Sequence, residues 1–386
     1  MIVIHASITA CLSNKQSING LPCIDISKNY PEKEILLTVI SDVSYLRVST
    51  EENDYFYIGT ISGIKENTIV IPDRSSGAIL FFSRDGKPKS RFNRYGRGPE
   101  EYPQTYSTTI YDETADEVFI QYQNIIQVYS STGVHKRKII LPTMYAGMID
   151  FDDQSLFLHD SKQQFHYLDL GIEETDFTPH LCDSSYFRIS KMDGKVLEYV
   201  VRPSNETDLV AYDNDGGRSL QSLRYMKKCS AGLLLCDPAT DTVFLYGEEK
   251  TIIPLFCKTP LVNKLSPKVV LTDFMDIGTH QYFRLATLVN HHEDSKSFPD
   301  KYYVRDKETG KIFHQKITLP DFKGKELFIS AQNTLYTGKE TIAIFELDLL
   351  ELKEAYIQNK LSGKLKELVA TLRDDDNNVY VIAQIK

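Results

Sequence analysis

The sequence predicts an all-β chain folded as a six-bladed β-propeller of four-stranded antiparallel blades. Three observations predict it: a bias toward aromatic residues, short apolar runs separated by turn chemistry, and a turn motif recurring at the spacing of one blade. Of the 386 residues, 41% are hydrophobic and 25% charged, which is globular composition and far from the regime of disorder. Tyr occurs 23 times and Phe 19 times, against 6 Met and no Trp. Aromatic and β-branched side chains fit a pleated, half-buried surface, so the bias favours strands.

The runs come in order along the chain. Thr68-Ile69-Val70-Ile71 is followed by the turn residues Pro72 to Gly77, and then by Ala78-Ile79-Leu80-Phe81-Phe82. Asp85-Gly86 closes that unit, and Asp-Gly between apolar runs is a strong hairpin signal. The unit returns as Glu117 to Ile120, Ile125 to Tyr129, and the turn Ser130-Ser131-Thr132-Gly133 before Lys138 to Leu141. The two turn glycines stand 133 − 86 = 47 residues apart. A four-stranded blade repeats every ~40–50 residues, so the spacing is that of one blade. Looser echoes follow at Asp193-Gly194, Gly247 and Thr309-Gly310. From residue 40 onward there is room for roughly six such blades, each needing its neighbours to bury both of its faces.

Helix is expected in one place. Leu349, Leu352 and Tyr356 follow helical spacing, as do Leu365, Leu368, Val369 and Leu372. Ser362-Gly363 divides them into two short helices inserted before the last strand.

The first ten residues are mostly apolar or small and lead into Cys11. Ile8-Thr9-Ala10-Cys11 resembles a bacterial lipobox, and a polar stretch follows it. A basic n-region and a long apolar core are absent, as they would be if translation started upstream of Met1. The expected organisation is therefore a shortened lipoprotein signal and tether over 1–30 and a single propeller over 31–386. Lipid on Cys11 would hold the protein at the cell envelope, on the outer membrane or its periplasmic face, without crossing the bilayer. The other cysteines, Cys23, Cys182, Cys229, Cys236 and Cys257, match no zinc or redox spacing. Cys236 follows Leu233-Leu234-Leu235 and reads as a buried small hydrophobe, and a Cys229–Cys236 bridge stands as one pairing among others.

Net charge is −9 with a pI near 5.6, and no basic block carries interleaved aromatics. Nucleic acid needs a basic footprint to displace counterions, so it is excluded as a partner.

Gly96-Arg97-Gly98-Pro99-Glu100-Glu101-Tyr102 is the most specific motif of the chain. With Ile40 to Val48 as an opening strand and Asp374 to Ile382 as a closing one, it resembles the six-bladed β-propeller lipoproteins of Bacteroides and related gut bacteria, relatives of the NHL-repeat propellers. Two positions depart from the pattern: Glu100 stands where glycine is usual, and Asn378 where proline is usual. The resemblance implies the fold and an envelope location, and no particular activity. In the motif, Gly96 and Gly98 are expected to supply positive φ, Pro99 to fix the turn exit, and Glu101 and Tyr102 to reach a neighbouring blade. The loop thus reads as architecture.

Candidate sites are sparse. His291-His292-Glu293-Asp294 is the densest metal-capable cluster, but adjacent strand residues point to opposite faces. Asp374-Asp375-Asp376-Asn377 offers oxygen ligands without the spacing of a calcium loop, and reads as a solvated turn. Asn290-His291, Asp273 and Glu198 are candidates for the channel mouth. There is no Gly-x-Ser-x-Gly elbow and no phosphate loop. The expectation is a monomeric, non-catalytic binding module for a glycan, peptide or envelope protein, with no cofactor. The alternative is a divalent-metal hydrolase or lyase of lactonase type, with calcium or a similar ion at the channel mouth.

Overall fold

Asp85-Gly86 shows how the chain builds a blade. Gly86 takes φ +84°, a left-handed conformation open to glycine, and its N–H donates to the Ser83 carbonyl at 2.9 Å. The strands on either side then pair antiparallel, Ile79 opposite Phe92 and Leu80 opposite Arg91. The computed structural model describes residues 17–18, 20–50, 55–103, 108–142, 146–160, 186–200, 211–213, 218–219, 225–237, 240–247, 249–290 and 299–386.

An N-terminal arm contributes β1 (Leu21–Asp25), β2 (Glu32–Leu36) and β3 (Ser41–Arg47). Blade 1 is β4 (Gly63–Ile64), β5 (Ile69–Pro72), β6 (Ile79–Phe82) and β7 (Pro88–Phe92). Blade 2 is β8 (Thr108–Asp112), β9 (Glu117–Tyr122), β10 (Ile125–Tyr129) and β11 (His135–Ile140). Blade 3 is β12 (Ala146–Asp150), β13 (Ser155–Asp160), β14 (Tyr186–Ser190) and β15 (Val196–Val200). Blade 4 is β16 (Tyr225–Cys229), β17 (Gly232–Asp237), β18 (Thr242–Tyr246) and β19 (Ile252–Thr259). Blade 5 is β20 (Val269–Ile277), β21 (His280–Thr287), β22 (Asp300–Asp306) and β23 (Ile312–Thr318). Blade 6 is β24 (Thr334–Tyr336), β25 (Thr341–Leu347), β26 (Val379–Ile385) and, returning from the arm, β3. Ala211–Asp213, Arg218–Ser219 and Val289–Asn290 form a separate small sheet.

Middle strands are buried on both faces, which is why they read as continuous apolar runs. Ile79, Leu80, Phe81 and Phe82 are all buried, and alternation sorts them. Leu80 and Phe82 pack with Leu46, Ile342 and Tyr380 toward blade 6, while Ile79 and Phe81 pack with Tyr111 and Val118 toward blade 2. The same division repeats between blades 2 and 3 around Phe119, Leu156 and Phe187, and between blades 3 and 4 around Phe157, Leu233 and Tyr246.

The ring closes where the two chain ends meet. β26 pairs antiparallel with β3 from Val379 opposite Arg47 to Ile385 opposite Ser41. The arm reaches that position by way of two other blades. β1 pairs parallel with β19 on the outer edge of blade 4, and β2 pairs parallel with β23 on blade 5. An outer strand otherwise exposes a row of unpaired backbone groups; the arm covers that edge on blades 4 and 5 and supplies the outer strand of blade 6. The propeller body therefore includes Leu21–Asp25, which the sequence placed in the tether. A disulfide between Cys23 and Cys257 fixes the start of the arm to blade 4. Cys229 and Cys236 are buried thiols and are not bridged to each other: on their hairpin Cys229 lies opposite Gly232, and Cys236 opposite Tyr225.

The two expected helices are present between β25 and β26, as α1 (Leu349–Ile357) and α2 (Gly363–Val369). Asp348 caps α1 by accepting from the Glu351 N–H at 3.0 Å. Leu352, Ala355, Leu365 and Val369 are buried against the core, whereas Tyr356 is exposed. Among the described residues no helix is long and apolar enough to cross a membrane.

Candidate functional site in the central channel

The strand order sets what faces the channel. Successive strands of a blade alternate in direction, so the turns after first and third strands share one face of the disc, and the remaining loops share the other. The first strands of the blades surround the axis. On the first face they open into a cavity of about 500 Å³. Its wall comes from β4, β8, β12, β16 and β24 and the turns that follow them, with Lys191 reaching in from the turn between β14 and β15.

Charge is concentrated there. Lys191 Nζ lies 2.6 Å from Asp112 Oδ2 and 2.9 Å from Asp150 Oδ1, bridging blades 2 and 3. Lys65 Nζ, from blade 1, meets the other oxygen of Asp150 at 3.1 Å. Burial works against the Lys191 ammonium, but Asp150 and Asp112 outweigh it and hold the pKa above that of an ordinary lysine. Asp112 is held below the usual carboxylate range: burial opposes this, and the Lys191 ammonium and the Ala115 N–H prevail. Lys228 Nζ donates to the Phe151 carbonyl at 2.7 Å.

Lys227 also lines the wall, and the buried Asp273 acts on it electrostatically. Asp273 lies on β20 beside an irregularity in its pairing with β21, is fully buried, and accepts the Ala331 N–H on both oxygens at 2.8 Å. Burial pushes Asp273 up to about 6, against that N–H, Arg284 and Lys227. Burial pushes Lys227 down to about 8, with Asp273 pulling the other way. Both shifts have the same cause: the charged forms are removed from water.

The residues singled out by sequence fall in several places. Gly96, Gly98, Pro99, Glu101 and Tyr102 lie in the loop from β7 to β8, on the face opposite the cavity. Tyr102 is fully buried and donates to the Gly77 carbonyl at 2.8 Å. The Glu100 and Pro99 carbonyls accept from Tyr129 Oη at 2.8 Å and Gln127 Nε2 at 3.0 Å, so the loop is spent joining blades 1 and 2. Neither Gly96 nor Gly98 has positive φ. They are small because Glu101 folds back between them, accepting the Gly98 N–H at 2.7 Å where a Cβ on Gly96 would collide with its carboxylate.

Asp273 does not line the cavity: it is buried on β20, with both oxygens on the Ala331 N–H. Nor does Glu198: it lies on β15, the outermost strand of blade 3, near Arg188 and accepting from Tyr246 Oη at 3.0 Å. Asn290 belongs to the small sheet, opposite Asp213. Cys11 and His291 to Asp294 lie outside the described residues. The turn at Asp374 to Asn377 is only half solvated. Asp374 and Asp375 are exposed, but Asp376 and Asn377 are buried and bind the loop after β3. Among the described residues, no three His, Cys, Asp or Glu side chains converge as a metal site.

Lys65, Asp112, Asp150, Lys191 and Lys228 were not singled out by sequence reasoning. Most end the first strand of a repeat, where an apolar run gives way to charge, and aligning the repeats would have placed them on one ring.

Residues 13–199 match a family described as a 6-bladed beta-propeller, DUF5128. The chain is a six-bladed β-propeller. Two solved Bacteroides structures share the fold. A Bacteroides fragilis protein, named as exported, is 14% identical, with a TM-score of 0.58 over 94% of this chain and 99% of its own. A Bacteroides vulgatus protein of the DUF4221 family is 12% identical, with a TM-score of 0.51 over 90% and 97%. Among curated proteins none matches the chain.

Proposed function

We propose that this propeller is a non-catalytic binding module that takes its ligand in the charged channel cavity and works at the bacterial cell envelope, held there by lipid on Cys11. The observation that carries the binding reading is the seating of Lys191 between Asp112 and Asp150, with Lys65 on the second oxygen of Asp150. A divalent-metal hydrolase would need such carboxylates free to ligate. Here lysine neutralises them, leaving a preformed polar cavity of about 500 Å³, the size of a small-molecule or short-chain site. Glycan units and short peptides match that size and polarity.

Two observations support the envelope. The Cys23–Cys257 disulfide fits an oxidising compartment, and the similar Bacteroides fragilis protein is named as exported.

The test is capture on arrays of glycans and short peptides by wild-type protein and by Lys228→Glu, which reverses one charge of the cavity wall. Binding to a defined ligand that falls at least tenfold in the variant supports the reading; wild-type and variant binding alike would refute the channel as the site. For the anchor, palmitate labelling of the natural full-length product should mark Cys11, and an unlabelled product would refute it.

A further inference from the structure

We propose that the channel contains an anion position built on Lys227, which receives the carboxylate of a small, singly charged acid. The proposal deepens the binding reading above and rests on it.

The cavity has four lysines, and three are committed. Lys65 and Lys191 are ion-paired, and Lys228 donates to a backbone carbonyl. Lys227 is on β16, in the cavity wall and partly open to it. Among the described residues its Nζ makes no hydrogen bond and no ion pair. The carboxylate that acts on it, Asp273, cannot turn to meet it, because both oxygens are held by the Ala331 N–H in a fully buried site.

An ammonium withdrawn from water and left without acceptors is costly, and three donors stand unused. An arriving anion restores what burial removed. The depressed Lys227 pKa, about 8, is the signature of that vacancy in its electrostatics, and a bound carboxylate would raise it.

The neighbouring charges decide the kind of anion. On the strands packed against β16, β12 carries Asp150, β20 carries Asp273 and Asp276, and β24 carries none. Asp152 and Asp153 stand at the rim. A dianion such as phosphate would face this repulsion twice over, whereas a carboxylate carries one charge. Lysine presents a compact point charge with freely rotating donors, which suits a carboxylate at the tip of a larger neutral body.

The experiment is trace acetylation of the folded, full chain near pH 8 with an active ester, read at each channel lysine by peptide mass spectrometry. The probes are acetate, lactate and galacturonate, against chloride, phosphate and galactose at equal ionic strength. The carboxylates should cut acetylation of Lys227 by about tenfold at roughly ten times Kd, with Lys65 and Lys191 changed less than about twofold. Phosphate and galactose should leave Lys227 unprotected.

Thermal unfolding of Lys227→Met gives a second readout. The variant should be at least as stable as wild type in chloride, because it removes an unpaired desolvated charge, and should lose the stabilisation by carboxylates. A strong destabilisation would mean Lys227 is structural and would overturn the proposal. Protection of Lys65 and Lys228 by galactose, with Lys227 untouched by any acid, would overturn the anion position and leave channel binding standing. No protection of any channel lysine by any probe would overturn both.

Discussion

Arg47 and Asp376, 329 residues apart in sequence, hold the ring shut: Arg47 Nη2 donates to both oxygens of the Asp376 carboxylate, at 3.1 and 2.9 Å. Arg47 ends β3, the strand that the arm supplies to blade 6, and Asp376 sits in the turn that launches β26. Asp376 also accepts the Thr50 hydroxyl at 2.9 Å and the Arg373 N–H at 2.8 Å, with no exposed side-chain surface.

Asp376→Ala should therefore cost about 3 kcal/mol, since it leaves several donors facing a cavity in the closure. Arg47→Ala should cost less, about 1 kcal/mol, because the Arg47 side chain is about one-third exposed. Burial alone would raise Asp376, but the Arg373 N–H, Thr50 and Arg47 outweigh it and keep it below the ordinary carboxylate value. A depressed folded-state pKa gives stability that is complete above the unfolded carboxylate value and is lost as pH falls through the folded one. Urea unfolding of wild type and Asp376→Asn at neutral and acid pH should show the difference shrinking in acid.

Gly86 and Gly310 occupy equivalent turns but differ in surroundings. At Gly86, with φ +84°, a Cβ would overlap the Arg47 carbonyl oxygen; at Gly310, with φ +71°, the nearest atom is Arg305 Nη2 at 3.8 Å. Gly86→Ala should lose at least about 2 kcal/mol, and Gly310→Ala only about 1 kcal/mol from the left-handed backbone. The urea midpoints of the two variants check the order.

Lys191→Met removes the cation between Asp112 and Asp150 and should destabilise by about 2–4 kcal/mol at neutral pH. Lys191 has a raised pKa, so its contribution is intact below the unfolded lysine value and is lost only as pH rises through the folded one. Asp112, with a lowered pKa, contributes above the unfolded carboxylate value and loses this as pH falls. The penalty should thus be constant through neutrality and shrink in acid, where the two carboxylates left behind take up protons. Thermal unfolding at several pH values reads this directly.

The Cys23–Cys257 bridge closes a separation of 234 residues. Loop-closure entropy assigns such a cross-link about 5 kcal/mol, with about 3–5 expected in practice. Cys257→Ser should unfold at a lower temperature than wild type and be indifferent to reductant, while reductant should bring wild type down to the variant.

The blade plan was legible because it is local. Gly86, Gly133, Gly194, Gly247 and Gly310 all fall in the turn between third and fourth strands of blades 1 to 5. Blade 6 has no such glycine because its fourth strand, β3, comes from the other end of the chain. Gly247 is a weaker echo for a physical reason: in its turn Lys250 takes the positive φ instead. The opening and closing strands proved to be hydrogen-bonded partners.

The site was less legible because it is made by curvature. Asp112 and Lys191 are 79 residues apart and meet only because blades 2 and 3 wrap the axis. The arm was hidden for a related reason. Leu21–Asp25 is short and finds its partner, β19, in parallel on a distant blade, so no hairpin signal marks it. Gly96 and Gly98 were correctly placed in a tight loop, yet for the wrong reason, since a glutamate side chain rather than backbone handedness demands them.

The central claim, a channel that binds without turning over, is tested most directly by native mass spectrometry of the protein with pooled neutral and acidic oligosaccharides and short peptides, with and without a chelator. The account predicts a ligand retained on the protein and recovered at its original mass, equally with and without chelator, and lost in Lys228→Glu. Recovery of cleaved ligand, suppressed by the chelator, would contradict it and establish the metal-dependent alternative.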